Sequence, residues 1–181
     1  KDVLTMIGVG RLDKLKQFDI LIRAFAQVAS RRREWVLHIY GDGPDLGALT
    51  GLVKDLGMTD RIRLLGKTKA IWEALAAADA FVTTSALEGF PNALLEAMAI
   101  GLPCISFDCP SGPKELIRDG EEGILIERQN HQEFERALDA LLGDPGLRKS
   151  LGARARISVR NRYSIEIVLK AWEDLLHNAG S

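Results

Sequence analysis

Short runs of β-branched and apolar residues alternate along the chain with longer segments in which apolar positions recur every three or four residues. The short runs read as strands and the longer period as one face of a helix, so the alternation predicts an α/β domain with a parallel sheet. Val3 to Val9 is the first strand, ended at Gly10, and Phe18, Leu21, Ile22, Phe25 and Val28 mark one face of the helix after it. Trp35 to Tyr40 is the second strand, stopped by Gly41-Asp42-Gly43-Pro44, with a helix to follow that closes on Gly57. Ile62 to Leu65 is the third, ending at Gly66, and a helix through Ile71, Leu75 and Ala78 leads to the fourth, Phe81 to Thr84. After the loop Ser85 to Phe90, Pro91 opens a helix at a first-turn position and Gly101 closes it. Pro103 to Phe107 is a fifth strand, Gly112-Pro113 opens a short helix through Leu116 and Ile117, and Ile124 to Ile126 is a short sixth strand.

From Asn130 onward only helical periodicity remains: Phe134, Leu138, Leu141 and Leu142, then Leu147 to Arg162, then Ile165 to Leu176. These predict three closing helices over about 130–178 and, in total, a Rossmann-like three-layer domain with about six strands. Trp172, Leu175 and Leu176 of the last helix form an amphipathic stripe that either faces the core or packs on a domain outside this chain.

Composition narrows the class. The 181 residues suit one domain, 1–181, with 46% hydrophobic and 27% charged residues, which excludes a disordered or fibrous chain. Lys plus Arg is 24 and Asp plus Glu 25, a net charge of -1, so no global field draws the molecule to nucleic acid or an anionic membrane and any basic site is local. The run Arg31-Arg32-Arg33 at a helix end reads as a solvated terminus. Cys104 and Cys109, one in the core and one in a loop, are too few for a disulfide scaffold or a zinc site, which fits a reducing compartment. No apolar run reaches the roughly 18 residues a membrane span needs. The start Lys1-Asp2-Val3-Leu4 enters directly into a strand pattern with neither an initiator Met nor the shape of a signal peptide, as expected of an excised fragment.

Several familiar motifs fail. Gly66-Lys67-Thr68 resembles the end of a phosphate-binding P-loop, but Arg61 stands where that loop needs glycine. Gly8-Val9-Gly10 and Gly41-Asp42-Gly43 begin like dinucleotide fingerprints, yet Asp13 and Leu46 occupy the third glycine positions. They remain strand-exit turns, on the sheet edge where ligands of such folds bind. There is no Asp-x-Asp pair, so the usual clamp for a divalent ion on a diphosphate is missing and no metal is expected. His38, His131 and His177 lie near no nucleophile in sequence and read as structural or surface residues.

One block carries chemistry. Glu88-Gly89-Phe90-Pro91-Asn92-Ala93-Leu94-Leu95-Glu96 joins a strand end to a helix start and sets two carboxylates eight positions apart. Unpaired backbone N–H groups at that helix start make a small anion pocket, and the carboxylates on either side of it can accept hydroxyl hydrogen bonds. A pair of carboxylates flanking an anion pocket suits a nucleotide sugar, with a ribose at one end and a sugar at the other. Arg11 and Lys16, after the first strand, supply cations for the diphosphate on the same edge.

With Val9-Gly10-Arg11-Leu12, Gly41-Asp42-Gly43-Pro44, Glu88-Gly89-Phe90-Pro91-Asn92, Glu96-Ala97-Met98-Ala99, Gly101-Leu102-Pro103 and Ser111-Gly112-Pro113-Lys114-Glu115-Leu116-Ile117 in this order, nearly the whole chain resembles the C-terminal domain of retaining GT-B glycosyltransferases. That group is glycosyltransferase family 4, also called glycosyl transferases group 1. The resemblance implies a domain that binds the nucleotide-sugar donor, with a separate N-terminal domain, absent from this chain, for the sugar or lipid-linked saccharide acceptor. It implies that Arg11 and Lys16 contact the donor diphosphate, Glu88 lies by the sugar hydroxyls, and Glu96 binds the ribose. It further implies that the backbone at Gly10, Gly89, Phe90, Pro91, Asn92 and Ala93 lines sugar and phosphate, and that the base sits around Gly66 and Lys67. Gln17 departs from the pattern, since many relatives carry Gly after the Lys, and a less permissive backbone there bears on the reach of Lys16.

The chemistry so implied is transfer with retention at the anomeric carbon, without metal or cofactor. Arg11, Lys16 and the helix start would stabilise the leaving diphosphate, and Glu88 would orient the sugar. The expected donor is a nucleotide sugar, UDP-sugar ahead of GDP-sugar. Phe107-Asp108-Cys109-Pro110-Ser111-Gly112-Pro113 resembles bacterial transferases of polysaccharide or lipid-linked oligosaccharide assembly, which are cytoplasmic with peripheral contact at the inner membrane face. The competing reading is a non-catalytic nucleotide-binding or interaction module on the same scaffold. An epimerase or a phosphorylase of similar architecture is a third; the catalytic groups of an epimerase cannot be assigned, and a phosphorylase would normally want a lysine-bound cofactor.

Overall fold

The computed structural model describes residues 3–179, so Lys1 and Asp2 of the expected chain start lie outside the described residues. Six strands run parallel in one sheet: β1 (Leu4–Val9), β2 (Trp35–Tyr40), β3 (Ile62–Leu64), β4 (Ala80–Thr83), β5 (Cys104–Asp108) and β6 (Ile124–Glu127). Their spatial order is β3-β2-β1-β4-β5-β6. β1 therefore has β2 on one side and β4 on the other, and the loops that leave β1 and β4 part around a crevice at the carboxyl edge, where open α/β sheets take their ligands.

The described residues hold eight helices: α1 (Phe18–Ala29), α2 (Leu46–Asp55), α3 (Ile71–Ala77), α4 (Asn92–Ile100), α5 (Pro113–Leu116), α6 (His131–Gly143), α7 (Pro145–Tyr163) and α8 (Ile165–Ala179). Alternate strand residues point to opposite faces, and the core divides accordingly. Met6, Val82 and Ile105 pack with α1, α2 and α6 on one face; Ile7, Phe81 and Cys104 pack with α3, α4 and α5 on the other. The face of α1 marked in the sequence, Phe18, Leu21, Ile22, Phe25 and Val28, is buried throughout. α7 closes the domain across α4, where a Cβ on Gly152 would fall 2.1 Å from the Gly101 carbonyl oxygen, so the approach needs glycine at 152.

Two expectations change, and one alternative left open is narrowed. Pro91 is the residue before α4 rather than its first, because its ψ of 70° lies outside the helical range. Arg31 and Arg32 are not merely solvated: both guanidinium groups reach Asp139 of α6, at 3.4 and 2.8 Å. The stripe on α8 does not face the core, since Trp172, Leu175 and Leu176 are all exposed.

Candidate functional site

The site is built on the carboxyl ends of β1 and β4. Gly10 N donates to Tyr40 O and Leu12 N to Asp42 O, so the segment after β1 extends the sheet pairing with β2. Gly41, at φ 151°, lies against this segment so closely that a Cβ would sit 1.8 Å from Gly10 O. Its N–H donates to Gly66 O, which ties the exits of β1, β2 and β3 together.

Between β1 and α1 the chain turns through Gln17 at φ 49° and ψ 41°, a left-handed conformation that costs a non-glycine residue about 1 kcal/mol or more. The hydroxyl of Thr84, 1% exposed, holds the turn by pointing at the carbonyl oxygens of Lys16 and Gln17, 3.0 Å from each. Gln17 thus takes up the conformation glycine would adopt freely, and Lys16 is delivered into the crevice. There its Nζ meets Glu88 Oε1 at 2.6 Å, in a pair whose side chains are 23% and 11% exposed. Ser85 donates to the same Oε1 at 2.6 Å, and Thr83 Oγ1 lies 3.1 Å from Ser85 Oγ.

On the other wall, Asn92 N is satisfied by Phe90 O and Leu95 N by Pro91 O. The amides of Ala93 and Leu94 have no backbone acceptor among the described residues, which leaves them as the donors of the α4 start. Pro91 is fixed from behind by Gly112, whose missing Cβ would lie 2.5 Å from the Pro91 ring, so the loop after β5 supports the Glu88 loop.

Two cavities share this wall. One of about 240 Å³ is lined by Lys16, Thr83, Glu88, Phe90 and Pro91; the other, about 520 Å³, by Tyr40, Asp42, Lys67, Thr68, Ile71 and Glu96. Val9, Gly10, Arg11, Asn92 and Ala93 line both. Arg11 is 71% exposed and 3.3 Å from Asp13, and Lys67 stands at the rim 3.5 Å from Asp42. The Glu96 side chain makes no hydrogen bond or ion pair among the described residues. Thus Arg11, Lys16, Gly10, Glu88, Phe90, Pro91, Asn92, Ala93, Lys67 and Glu96 line one connected crevice. Gly89 and Gly66 do not line it; Gly66 acts through its carbonyl beneath Gly41.

Cys109, the thiol read as a loop residue, is buried beside Glu88. Burial first, and the negative charge of Glu88 next, hold it above the usual thiol range, which disfavours the thiolate. Cys104 is shifted the same way by burial alone. Among the described residues no group of three or more His, Cys, Asp or Glu side chains lies close enough to hold a metal ion. No described helix is long and apolar enough to cross a membrane.

The sequence does not mark Thr83, Thr84 and Ser85 as site residues. Three consecutive hydroxyl side chains where a buried strand ends is the signal that was there to read, because hydroxyls in that position need partners.

Residues 1–158 match the family model described as glycosyl transferases group 1. The chain belongs to that family. It is 36% identical over 172 residues to an exopolysaccharide phosphotransferase of Streptomyces coelicolor, covering 94% of this chain and 18% of that protein. Among solved structures, TarM of S. aureus, crystallised as a point mutant with fondaparinux, alpha-GlcNAc-glycerol and UDP, superposes with a TM-score of 0.90 at 27% identity. The match covers 97% of this chain and 36% of TarM. The C-terminal domain of a glycosyl transferase group 1 family protein, LpcC of Francisella tularensis, superposes with a TM-score of 0.79 at 28% identity, covering 90% of this chain and 89% of that one. The six-stranded parallel sheet with its flanking helices is the Rossmann-like C-terminal domain of a GT-B glycosyltransferase. The chain spans between 18% and 50% of the length of such curated relatives.

Proposed function

We propose that this chain binds the nucleotide-sugar donor of a retaining, metal-independent glycosyltransferase that moves a hexosyl or N-acetylhexosaminyl group in bacterial polysaccharide or lipid-linked oligosaccharide assembly. The observation that carries the reading is the pair of adjoining cavities whose common wall holds Arg11 and Ala93, with Glu88 lining only the smaller and Glu96 only the larger. A nucleotide sugar has the same plan: a nucleoside, a diphosphate and a sugar in line. The larger cavity suits the nucleoside, its base against Ile71 and Tyr40 and its ribose hydroxyls on Glu96. The diphosphate spans the common wall, and the sugar enters the smaller cavity beside Glu88. UDP in the TarM complex favours a uridine donor.

In the reaction the bond from the anomeric carbon to the diphosphate oxygen breaks. The acceptor hydroxyl forms its bond on the same face of the sugar and its proton passes to the departing oxygen. Negative charge grows on the diphosphate, where the Ala93 and Leu94 amides meet it in place and Arg11 and Lys16 turn toward it. Lys16 has three N–H bonds and spends one on Glu88, which leaves two for phosphate. Glu88 orients the sugar hydroxyls. The acceptor is bound by a partner domain outside this chain, with peripheral membrane contact made there.

Calorimetric titration with UDP, GDP and ADP and their common sugar conjugates tests the reading. One base is expected to bind selectively and to be weakened in both Arg11→Ala and Glu96→Ala, while the chain alone turns over no acceptor. Absence of binding in a folded chain and in the whole protein alike would sink the reading.

A further inference from the structure

Glu88 differs from most site carboxylates in how completely one of its oxygens is used. Lys16 Nζ and Ser85 Oγ both lie 2.6 Å from Oε1, which fills the two lone pairs of that atom. Oε2 receives no hydrogen-bond donor among the described residues. Ser85 has a single hydroxyl proton, and it is spent on Glu88. The 3.1 Å contact between Thr83 Oγ1 and Ser85 Oγ must then run from Thr83 as donor to Ser85 as acceptor. The result is a directed chain, Thr83 to Ser85 to Glu88, whose first two members are 9% and 2% exposed.

We propose that Ser85 is a positioning residue for Glu88: it pins Oε1 from within the protein so that Oε2 is the oxygen presented to the donor sugar. The inference rests on the donor-binding reading above. Its physical content lies in the difference between the two hydrogen bonds on Oε1. The one from Lys16 comes from a flexible side chain that the diphosphate attracts, whereas the one from Ser85 comes from a buried hydroxyl at the end of β4 with no other demand on its proton. When a diphosphate draws Lys16 toward itself, Ser85 is what keeps the carboxylate from rotating. Ser85 therefore matters for the sugar and not for the nucleoside diphosphate.

The experiment is a titration of the whole protein, wild type and variants, with UDP, UDP-glucose and UDP-N-acetylglucosamine, read as the affinity for the sugar conjugate relative to UDP. Ser85→Ala is expected to leave UDP binding within about twofold and to weaken the better conjugate by about tenfold, the size of one hydrogen bond to a charged group. Ser85→Thr, which keeps the hydroxyl, restores the ratio. Thr83→Val removes only the donor behind Ser85 and lowers the ratio by a smaller factor, and it stands in if the alanine variant does not fold. Equal weakening of UDP and conjugate in both Ser85→Ala and Thr83→Val would mean a merely structural role and overturn the proposal, as would an unchanged ratio. If wild-type protein binds neither UDP nor conjugate, the donor-binding reading falls first and takes this inference with it.

Discussion

The two ends of the crevice are built on opposite principles. At one end Glu88 is largely buried, with two donors on a single oxygen and a 240 Å³ cavity before it. At the other, Glu96 faces a 520 Å³ cavity with no partner of its own among the described residues. A carboxylate that must orient a reacting sugar gains from being fixed before the ligand arrives, because misplacement by about 1 Å can cost a hundredfold in rate. A carboxylate that only anchors a ribose can wait for the ligand to supply its hydrogen bonds. Under the proposed donor-binding function, the closed end is where geometry would decide the reaction, and the open end is where affinity would be gathered.

The floor beneath both ends offers the most severe way to break this arrangement. Gly41→Ala forces a Cβ to within 1.8 Å of Gly10 O at a φ of 151°, so the β1 and β2 exits must separate. Stability is expected to fall by about 3 kcal/mol or more in urea unfolding, and UDP and UDP-sugar binding are expected to vanish together. A variant that keeps either ligand would show that the two ends do not share a floor.

The next test separates the ends. Glu96→Ala should weaken UDP and its sugar conjugates alike, by about tenfold, since each presents the same ribose. Glu88→Gln should leave UDP binding unchanged or tightened, because Lys16 is released, while the gain from the sugar is lost. Parallel calorimetric titrations decide it, and a common loss in both variants would erase the proposed division of labour.

How much of this could be read from the sequence follows from the range of the interactions. The strands and helices are local periodicities, and Phe18, Leu21, Ile22, Phe25 and Val28 bury the face they mark. The Glu88 to Glu96 block is local too, which is why its helix start and two carboxylates were legible as a unit. The strand order and the Lys16–Glu88 pair are not local, since the partners lie 72 positions apart. The residues suggested Lys16 for a phosphate, and the family resemblance suggested Glu88 for a sugar, without indicating that they hold each other. The buried hydroxyls of Thr83, Thr84 and Ser85 were hidden for a related reason: one hydroxyl residue at a strand end looks like another until its burial and partners are known. α8 was ambiguous because an apolar stripe does not say what covers it.

The smallest effect concerns the rim of the open end. Lys67 reaches Asp42 at 3.5 Å with both side chains well exposed, 79% and 54%. Solvent screens such a pair, and exposed pairs contribute about 0–1 kcal/mol. Lys67→Ala is therefore expected to shift the unfolding free energy by no more than about 0.5 kcal/mol. The contrast with Lys16 lies in exposure rather than charge: Lys16 is 23% exposed and meets a carboxylate that is 11% exposed, where screening is weak. If anchoring at the open end comes from Glu96 and the shared wall, Lys67→Ala also leaves UDP affinity within about threefold at physiological salt, because the interactions of so exposed a charge are weakened by solvent and salt. Raising the salt should then make wild type and variant converge. A loss of tenfold or more that persists in high salt would make Lys67 a desolvated contact to the ligand, and the open end would then be prepared in advance on its cationic side as the closed end is.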